Sequence, residues 1–257
     1  APRFIEATQA DVLTFSMRVN ADLTAEIIDM GPTGTTAHFI TPQGEVEMKL
    51  RMPGSFYIEN ALAVFGVGLV AGIELDVIKS RLEAIEHIAG RFDRYWSNSG
   101  FAVVIDFAHS PDSLKRMLET LTGFYKRVIT IFGCGGDADR EKRPEMGRIS
   151  GRLSTLSIAT NDNPKHEDPH EILRQIELGL IESGGSYELI EDRRAAIDRA
   201  VSVAQPGDVV LIAGKGHEQK QTFDGYEVDF NDRDYLIERG IININAESNI
   251  EFSSLKT

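Results

Sequence analysis

Short apolar runs separated by turn residues fill the first fifty positions. Residues 12–15, 25–28, 35–40 and 46–50 each have the length and composition of a strand, and Gly31-Pro32, Gly34 and Pro42-Gln43-Gly44 punctuate them. Two stretches with helical spacing follow, about 58–71 and 76–88, the second with Asp76 placed to cap it. From residue 91 the pattern becomes a regular alternation. Apolar runs at 102–105, 128–132, 156–160, 188–190 and 209–213 read as buried strands. Between them lie helices at 111–124, 144–153, about 169–182 and 192–204. Pro111 and Pro144 stand at first helical turns, where a missing N–H costs nothing. Asp168-Pro169-His170-Glu171 has the order of a capping box. Asp224-Gly225 between residues 222–223 and 228–229 suggests a small hairpin, and the last seventeen residues read as a polar tail.

Strands joined by crossover helices make an α/β fold: a Rossmann-like, doubly wound, mostly parallel sheet of about six strands. A partial α/β remnant precedes it. The expected division is residues 1–90 and 91–257. A length of 257 residues, 42% hydrophobic and 26% charged, gives each part a real core and excludes a disordered chain.

Charge narrows the partners. Forty acidic residues against 27 Lys and Arg leave a net charge of −13, which argues against a nucleic-acid or anionic-membrane surface. It leaves room for a small phosphate ligand held by backbone amides. The single cysteine, Cys134, permits no intrachain disulfide, which fits a reducing compartment. The longest candidate membrane segment, 61–71, is broken by glycines and far short of a span, so no membrane insertion is expected. Residues 1–4 have no signal-peptide pattern, and the expected location is cytoplasmic.

In a parallel sheet, function gathers at the carboxyl ends of the strands. The segments there are Asp106-Phe107-Ala108-His109, Gly133-Cys134-Gly135-Gly136-Asp137, Asn161-Asp162-Asn163-Pro164-Lys165 and Gly214-Lys215-Gly216-His217-Glu218. Gly133, Gly135 and Ala138 match the G-x-G-x-x-[G/A] dinucleotide fingerprint in form, which would make an oxidoreductase. That fingerprint must open a helix at once, and here a charged loop, 137–143, intervenes. Cys134 reads as an inert, half-buried thiol rather than a nucleophile. Asp106 and His109 could both touch a metal or a nucleotide; equally, Asp106 could cap the next turn and His109 merely precede a helix. Asp162, Asn163 and Lys165 set an acid, an amide and a cation side by side, as the reading of a zwitterion requires, or form a plain Asx turn. Glu218 adds a second acid on the same edge. Gly214 and Gly216 allow the backbone to approach a ligand, or simply supply a positive-φ loop. No G-x-x-x-x-G-K-[ST] loop is present, so this chain alone is not expected to hydrolyse a nucleotide.

Taken in order, Phe132-Gly133-Cys134-Gly135-Gly136-Asp137, Lys142-Arg143-Pro144, Asp162-Asn163-Pro164, Glu167-Asp168-Pro169, Glu191-Asp192-Arg193 and Ala213-Gly214-Lys215-Gly216-His217-Glu218 resemble the Mur ligases of peptidoglycan synthesis. The resemblance runs from about Pro53 onward and is strongest to the branch that adds a diamino residue to UDP-N-acetylmuramoyl-L-alanyl-D-glutamate. It implies the back of a central ATPase domain over 1–90 and the family's amino-acid-binding domain over 91–257, with the phosphate loop and a carbamylated lysine lying upstream in N-terminal domains. A fragment of that kind is expected to be inactive alone.

The resemblance also implies roles. ATP would meet Asn60, Arg91, Asp106 and His109, with His109 beside a magnesium ion; the diamino acid would meet Asp162, Asn163, Lys165, Gly214 and Glu218. There are three departures from the family pattern. Tyr57 stands where a first adenine-contacting asparagine is usual. Lys165 replaces the arginine of the D-N-P-R motif, and Ala138 replaces an arginine found in diaminopimelate-adding members. Lys165 keeps the sign that a distal carboxylate needs but loses the bidentate fork; Ala138 removes a cation. The balance favours meso-diaminopimelate, with L-lysine next. A non-catalytic amino-acid-binding paralogue is the alternative in a different functional class.

Overall fold

The computed structural model describes residues 2–242. The chain divides into two compact units between His87 and Ile88. Among the described residues no helix is long and apolar enough to cross a membrane.

The first unit comprises α1 (Pro2–Ala7), β1 (Phe15–Ser16), β2 (Leu23–Gly31), β3 (Gly34–Thr41), β4 (Gly44–Leu50), α2 (Ser55–Val70) and α3 (Leu75–Glu83). Its sheet has the order β1-β2-β3-β4, with β2, β3 and β4 antiparallel and β1 parallel to β2. Alternation along the strands sends Leu23, Ala25, Ala37, Phe39, Met48 and Leu50 inward, and Ile58, Leu62 and Phe65 of α2 are buried with them. The Phe39 and Phe65 rings lie 5.1 Å apart.

Three expectations need correction here. The strand expected at 12–15 is reduced to Phe15–Ser16, because Thr14 is tied to Asp22: its N–H and its hydroxyl donate to Asp22 Oδ2 at 2.8 and 2.6 Å. Asp76 does not cap α3. The helix starts one residue earlier, Glu74 holds the cap position without a side-chain bond, and Asp76 sits in the first turn, where its charge still faces the helix N-terminus favourably. The same helix stops at Glu83 rather than 88, since Ile88 turns back to accept from Arg91 N–H at 2.8 Å.

The second unit comprises β5 (Asp93–Trp96), β6 (Ala102–Asp106), α4 (Pro111–Phe124), β7 (Val128–Phe132), α5 (Lys142–Leu153), β8 (Leu156–Ala159), α6 (Pro169–Ser183), β9 (Tyr187–Leu189), α7 (Arg193–Val203), β10 (Val209–Ala213), β11 (Lys220–Phe223), β12 (Tyr226–Asp229) and α8 (Asp232–Glu238). A six-stranded sheet runs β5-β6-β10-β7-β8-β9, parallel except for β5, which is the expected doubly wound, mostly parallel architecture. The central strands β6, β7 and β10 are buried along their whole length, as continuous apolar runs covered on both faces require. On one face Val103, Ile105, Ile129, Ile131, Val210 and Ile212 form a core with Ala196, Ile197 and Ala200 of α7 and Leu236 of α8. Each Val, Ile or Leu side chain of this core removed from water contributes roughly 1.5–3 kcal/mol.

The capping box lies elsewhere than expected. The Asp168 side chain accepts from His170 N–H, and Glu171 turns to Arg174 and Gln175 instead of closing the box. The reciprocal box is at α4, between Ser110 and Ser113. Helix α5 opens at Lys142, two residues before Pro144. The strand β5 was not legible because Asp-Arg-Tyr-Trp carries no apolar run; it is a half-buried antiparallel edge. The polar-tail reading fails where it begins, since Ile242 is buried and pairs with Ser97. The remainder of that tail, 243–257, lies outside the described residues.

Candidate functional site

The loops after β6, β7, β8 and β10 converge on the carboxyl edge of the sheet and are stitched to one another by backbone. Gly214 N–H donates to Asp106 O (3.0 Å), Thr160 N–H to Phe132 O (2.9 Å) and Gly136 N–H to Asn163 O (2.9 Å). Two groups of side chains stand on this edge.

The first group joins the β8 and β10 loops. Lys215 is fully buried, and its ammonium donates to Asn163 Oδ1 (3.1 Å), Glu218 Oε2 (2.8 Å) and Lys220 O (2.5 Å). Asn163 Nδ2 donates to the same Glu218 Oε2 at 2.7 Å, while Thr222 N–H donates to Asn163 Oδ1 at 3.1 Å. Partial burial pushes the Glu218 carboxyl up, but the bonds from Lys215 and Asn163 outweigh it and hold the group below the usual carboxylate range. Asp162 is buried nearby and its carboxylate accepts no hydrogen bond among the described residues. Burial drives its pKa up against the pull of the Arg193 and Lys215 charges. A Cβ on Gly214, whose φ is +111°, would lie 2.4 Å from Asp162 Oδ2, so glycine is what allows this carboxylate to sit against the β10 loop.

The second group lies around β6. Asp106 Oδ2 accepts from Phe92 N–H and Oδ1 from Ala108 N–H, each at 2.8 Å. Burial nonetheless raises its pKa to about 6. Gly90 O accepts from Phe107 N–H at 2.9 Å, and the Arg91 guanidinium lies over the Phe107 ring at 4.8 Å. His109 and His217 flank that ring with centroids 4.6 and 5.7 Å away. His109 Nδ1 is 2.8 Å from Phe107 O, which can only accept, so Nδ1 carries a proton.

Of the residues singled out from sequence, Asp162, Asn163, Gly214 and Glu218 thus stand together, and Arg91, Asp106 and His109 form a neighbouring group. Among the described residues Lys165 does not join the network: its side chain is exposed, its φ is +52°, and its N–H donates to Thr222 O at 3.0 Å. Asn60 is exposed on α2 in the first unit. Cys134 is buried, with its thiol driven to about 12, as an inert cysteine should be. The glycine fingerprint has no helix to serve, since α5 begins only at Lys142. Among the described residues, no three His, Cys, Asp or Glu side chains cluster as metal ligands.

Three residues that organise the edge were given no role from sequence, although each stands inside a motif already noted. Lys215 is one. Arg193 is fully buried, bidentate to Asp232 (2.7 and 2.9 Å), and donates to Ala213 O at 3.1 Å. Arg143, also fully buried, grips both oxygens of Glu167 at 3.0 and 2.9 Å and donates to Gly135 O at 3.1 Å. Glu167 in turn accepts from Asp137 N–H at 2.7 Å, which pins the loop after β7. The available signal was position: each arginine opens or nearly opens a helix, where an interior charge is unusual without an anionic or carbonyl partner.

Comparison with known proteins adds to this geometry. Residues 90–216 match the family model described as Mur ligase, glutamate ligase domain, and residues 2–68 match the Mur ligase middle domain. The UDP-N-acetylmuramoyl-L-alanyl-D-glutamate–2,6-diaminopimelate ligase of Alkaliphilus metalliredigens is 40% identical over 229 residues, 89% of this chain and 46% of that protein. The protein of the same name from Bacillus velezensis is 39% identical over 245 residues, 95% of this chain and 49% of its own length. A solved structure of a UDP-N-acetylmuramoyl-L-alanyl-D-glutamate–2,6-diaminopimelate ligase superposes with a TM-score of 0.58 at 33% identity, covering 90% of this chain and 47% of that one. The UDP-N-acetylmuramate-alanine ligase of Thermotoga maritima gives 0.62 at 20% identity over 79% of this chain and 44% of its own, a likeness of fold. The chain spans about half the length of the curated relatives it matches.

Proposed function

The chain belongs to the Mur ligase family, and from that premise we propose that it is the amino-acid-delivering part of an ATP-dependent ligase. The ligase joins a diamino acid, meso-diaminopimelate ahead of L-lysine, to UDP-N-acetylmuramoyl-L-alanyl-D-glutamate in the cytoplasm. In this reading residues 1–90 contribute the end of the ATPase domain and 91–257 the amino-acid-binding domain. The observation that carries it is the pair of carboxylates on one sheet edge. Asp162 is buried with its carboxylate against Gly214, and Glu218 has one oxygen bonded by Asn163 and Lys215. Two acids so placed, beside a glycine that admits close approach, suit a ligand with an ammonium group.

ATP, when bound, supplies the phosphoryl group that activates the D-glutamate γ-carboxylate. The amine of the incoming amino acid, once its ammonium form has lost a proton, attacks the activated carbonyl carbon; the C–N bond forms, the C–O bond to the phosphate breaks with its electron pair leaving on phosphate, and the surplus N–H proton passes to solvent. The part played by this chain is positional. Glu218 and Asp162 hold and orient the amine, and fixing it against the acyl group can lower the barrier by several kcal/mol, on the order of 7. Arg91, Asp106 and His109 are proposed nucleotide contacts, with Asn60 toward the base. Lys165, exposed and in a left-handed conformation, is the proposed reader of a distal carboxylate.

The described residues do not make a magnesium cage. Both Asp106 oxygens are taken by N–H groups, and an imidazole nitrogen is a poor ligand for a hard cation. The test is phosphate release by the full-length polypeptide. Release should require ATP, the UDP-linked dipeptide and a diamino acid together. Release that is indifferent to the diamino acid would refute the reading.

A further inference from the structure

We propose that Lys215 is the positioning residue of the amino-acid subsite, setting the Asn163 amide and the Glu218 carboxylate so that Glu218 Oε1 alone is left to accept from the ligand amine. The proposal rests on the ligase reading above and deepens it.

An ammonium has three N–H bonds and no acceptor. All three of those on Lys215 have oxygen partners: Asn163 Oδ1, Glu218 Oε2 and Lys220 O. Asn163 Oδ1 also receives Thr222 N–H, so two donors face one atom and that atom must be the amide oxygen. The amide is therefore fixed with Nδ2 toward Glu218, to which it donates at 2.7 Å. Both donors that reach Glu218 converge on Oε2. Among the described residues nothing donates to Oε1, and the side chain keeps a third of its surface exposed.

A carboxylate held by one oxygen and open at the other is oriented before any ligand arrives, which removes a cost from binding. The third bond, to Lys220 O, anchors the lysine to the first residue of β11. The site is thus referenced to the hairpin as well as to the β8 and β10 loops. Lys215 touches no ligand in this account: its side chain is wholly inside. It acts through Glu218 and Asn163.

The experiment compares wild type, Lys215→Met and Lys215→Arg in the full-length protein. Folding is checked by circular dichroism and by the thermal unfolding midpoint of each variant. In Lys215→Met the KM for the diamino acid should rise at least about tenfold while the KM for ATP stays within about twofold. Its amino-acid KM should also begin to climb at higher pH than in wild type, because Glu218 then lacks its ammonium neighbour. Lys215→Arg, which keeps charge and donors, should recover part of the loss. Carbon-13 detection of the Glu218 carboxyl gives a second reading that needs no catalysis: its titration should move up in Lys215→Met. Should neither methionine nor arginine variant fold, the wild-type ammonium resonance decides. Nζ protons held in three hydrogen bonds exchange slowly enough to be seen, and rapid exchange overturns the proposal. An unchanged amino-acid KM and an unchanged Glu218 titration in a folded variant also overturn it. A wild-type enzyme that uses no diamino acid refutes the ligase reading instead, and the carboxyl titration still reports on the Lys215–Glu218 coupling.

Discussion

Replacing Asp232 by Asn should unfold the second unit far more readily than replacing any surface acid. Asp232 and Arg193 are both fully buried, and their bidentate contact at 2.7 and 2.9 Å is accompanied by an Arg193 bond to the last residue of β10. The amide keeps the shape but not the charge, so the guanidinium stays inside without its counter-ion. Removing one partner of such a pair typically costs about 3–5 kcal/mol. For a domain of this size each kcal/mol moves Tm by roughly 2–4 °C, so a fall of roughly 6–20 °C is expected. Trp96 lies on β5 of this unit and is the chain's single tryptophan, so urea unfolding followed by its fluorescence reads the right unit. Glu188→Gln is the control. Its pair with Arg199 is 33% and 43% exposed, and its loss should cost at most about 1 kcal/mol. Replacing both members, Arg193→Met with Asp232→Leu, should recover part of the stability lost by Asp232→Asn, since the stranded charge is gone. A loss below about 1 kcal/mol in Asp232→Asn would refute the view that this buried pair secures the sheet edge.

Three further outcomes follow from single residues. Asp106 has a folded pKa of about 6 against an ordinary 3.8, so between these values the folded chain holds a proton that the unfolded chain has lost. Its contribution to stability therefore falls as pH rises through that window, and Asp106→Asn should flatten the pH 4–6 slope of a denaturation series. Gly214→Ala places a Cβ against Asp162 at a φ of +111°, which should cost about 1–3 kcal/mol and weaken amino-acid binding in a calorimetric titration. Cys134, with its thiol at about 12 and buried, should resist alkylation at pH 8 in the native chain and react once urea unfolds it.

Apolar runs revealed the architecture wherever a strand is buried on both faces. The strands β6, β7 and β10 begin at the expected residues and end within one of them, because a run of about five mostly apolar positions, all buried, is too short for a helix and suits a strand covered on both faces. Half-buried elements were harder. The edge β5 is built from Asp93, Arg94, Tyr95 and Trp96, whose pairing with β6 depends on tertiary contact that no periodicity records. The short helix α8 is held by its Asn231 cap and by Asp232, whose partner lies 39 residues away. The site was legible as a set of loops but not as a network. The motifs placed Asp162, Asn163 and Glu218 on one edge; that a lysine inside the same motif is buried and donates to Asn163, Glu218 and the Lys220 carbonyl is decided by tertiary packing, which no motif records.

The measurement that bears most directly on the central claim is the KM for meso-diaminopimelate in full-length Glu218→Gln, with L-lysine run in parallel. Glutamine keeps the size of the side chain and its bond from Asn163 or Lys215, and removes the charge that faces the amine. The account predicts that the amino-acid KM rises at least about tenfold while the KM for ATP is unchanged. Unchanged values for both amino acids, in a protein whose wild type turns over, would contradict the assignment of this sheet edge as the place where the amine is held.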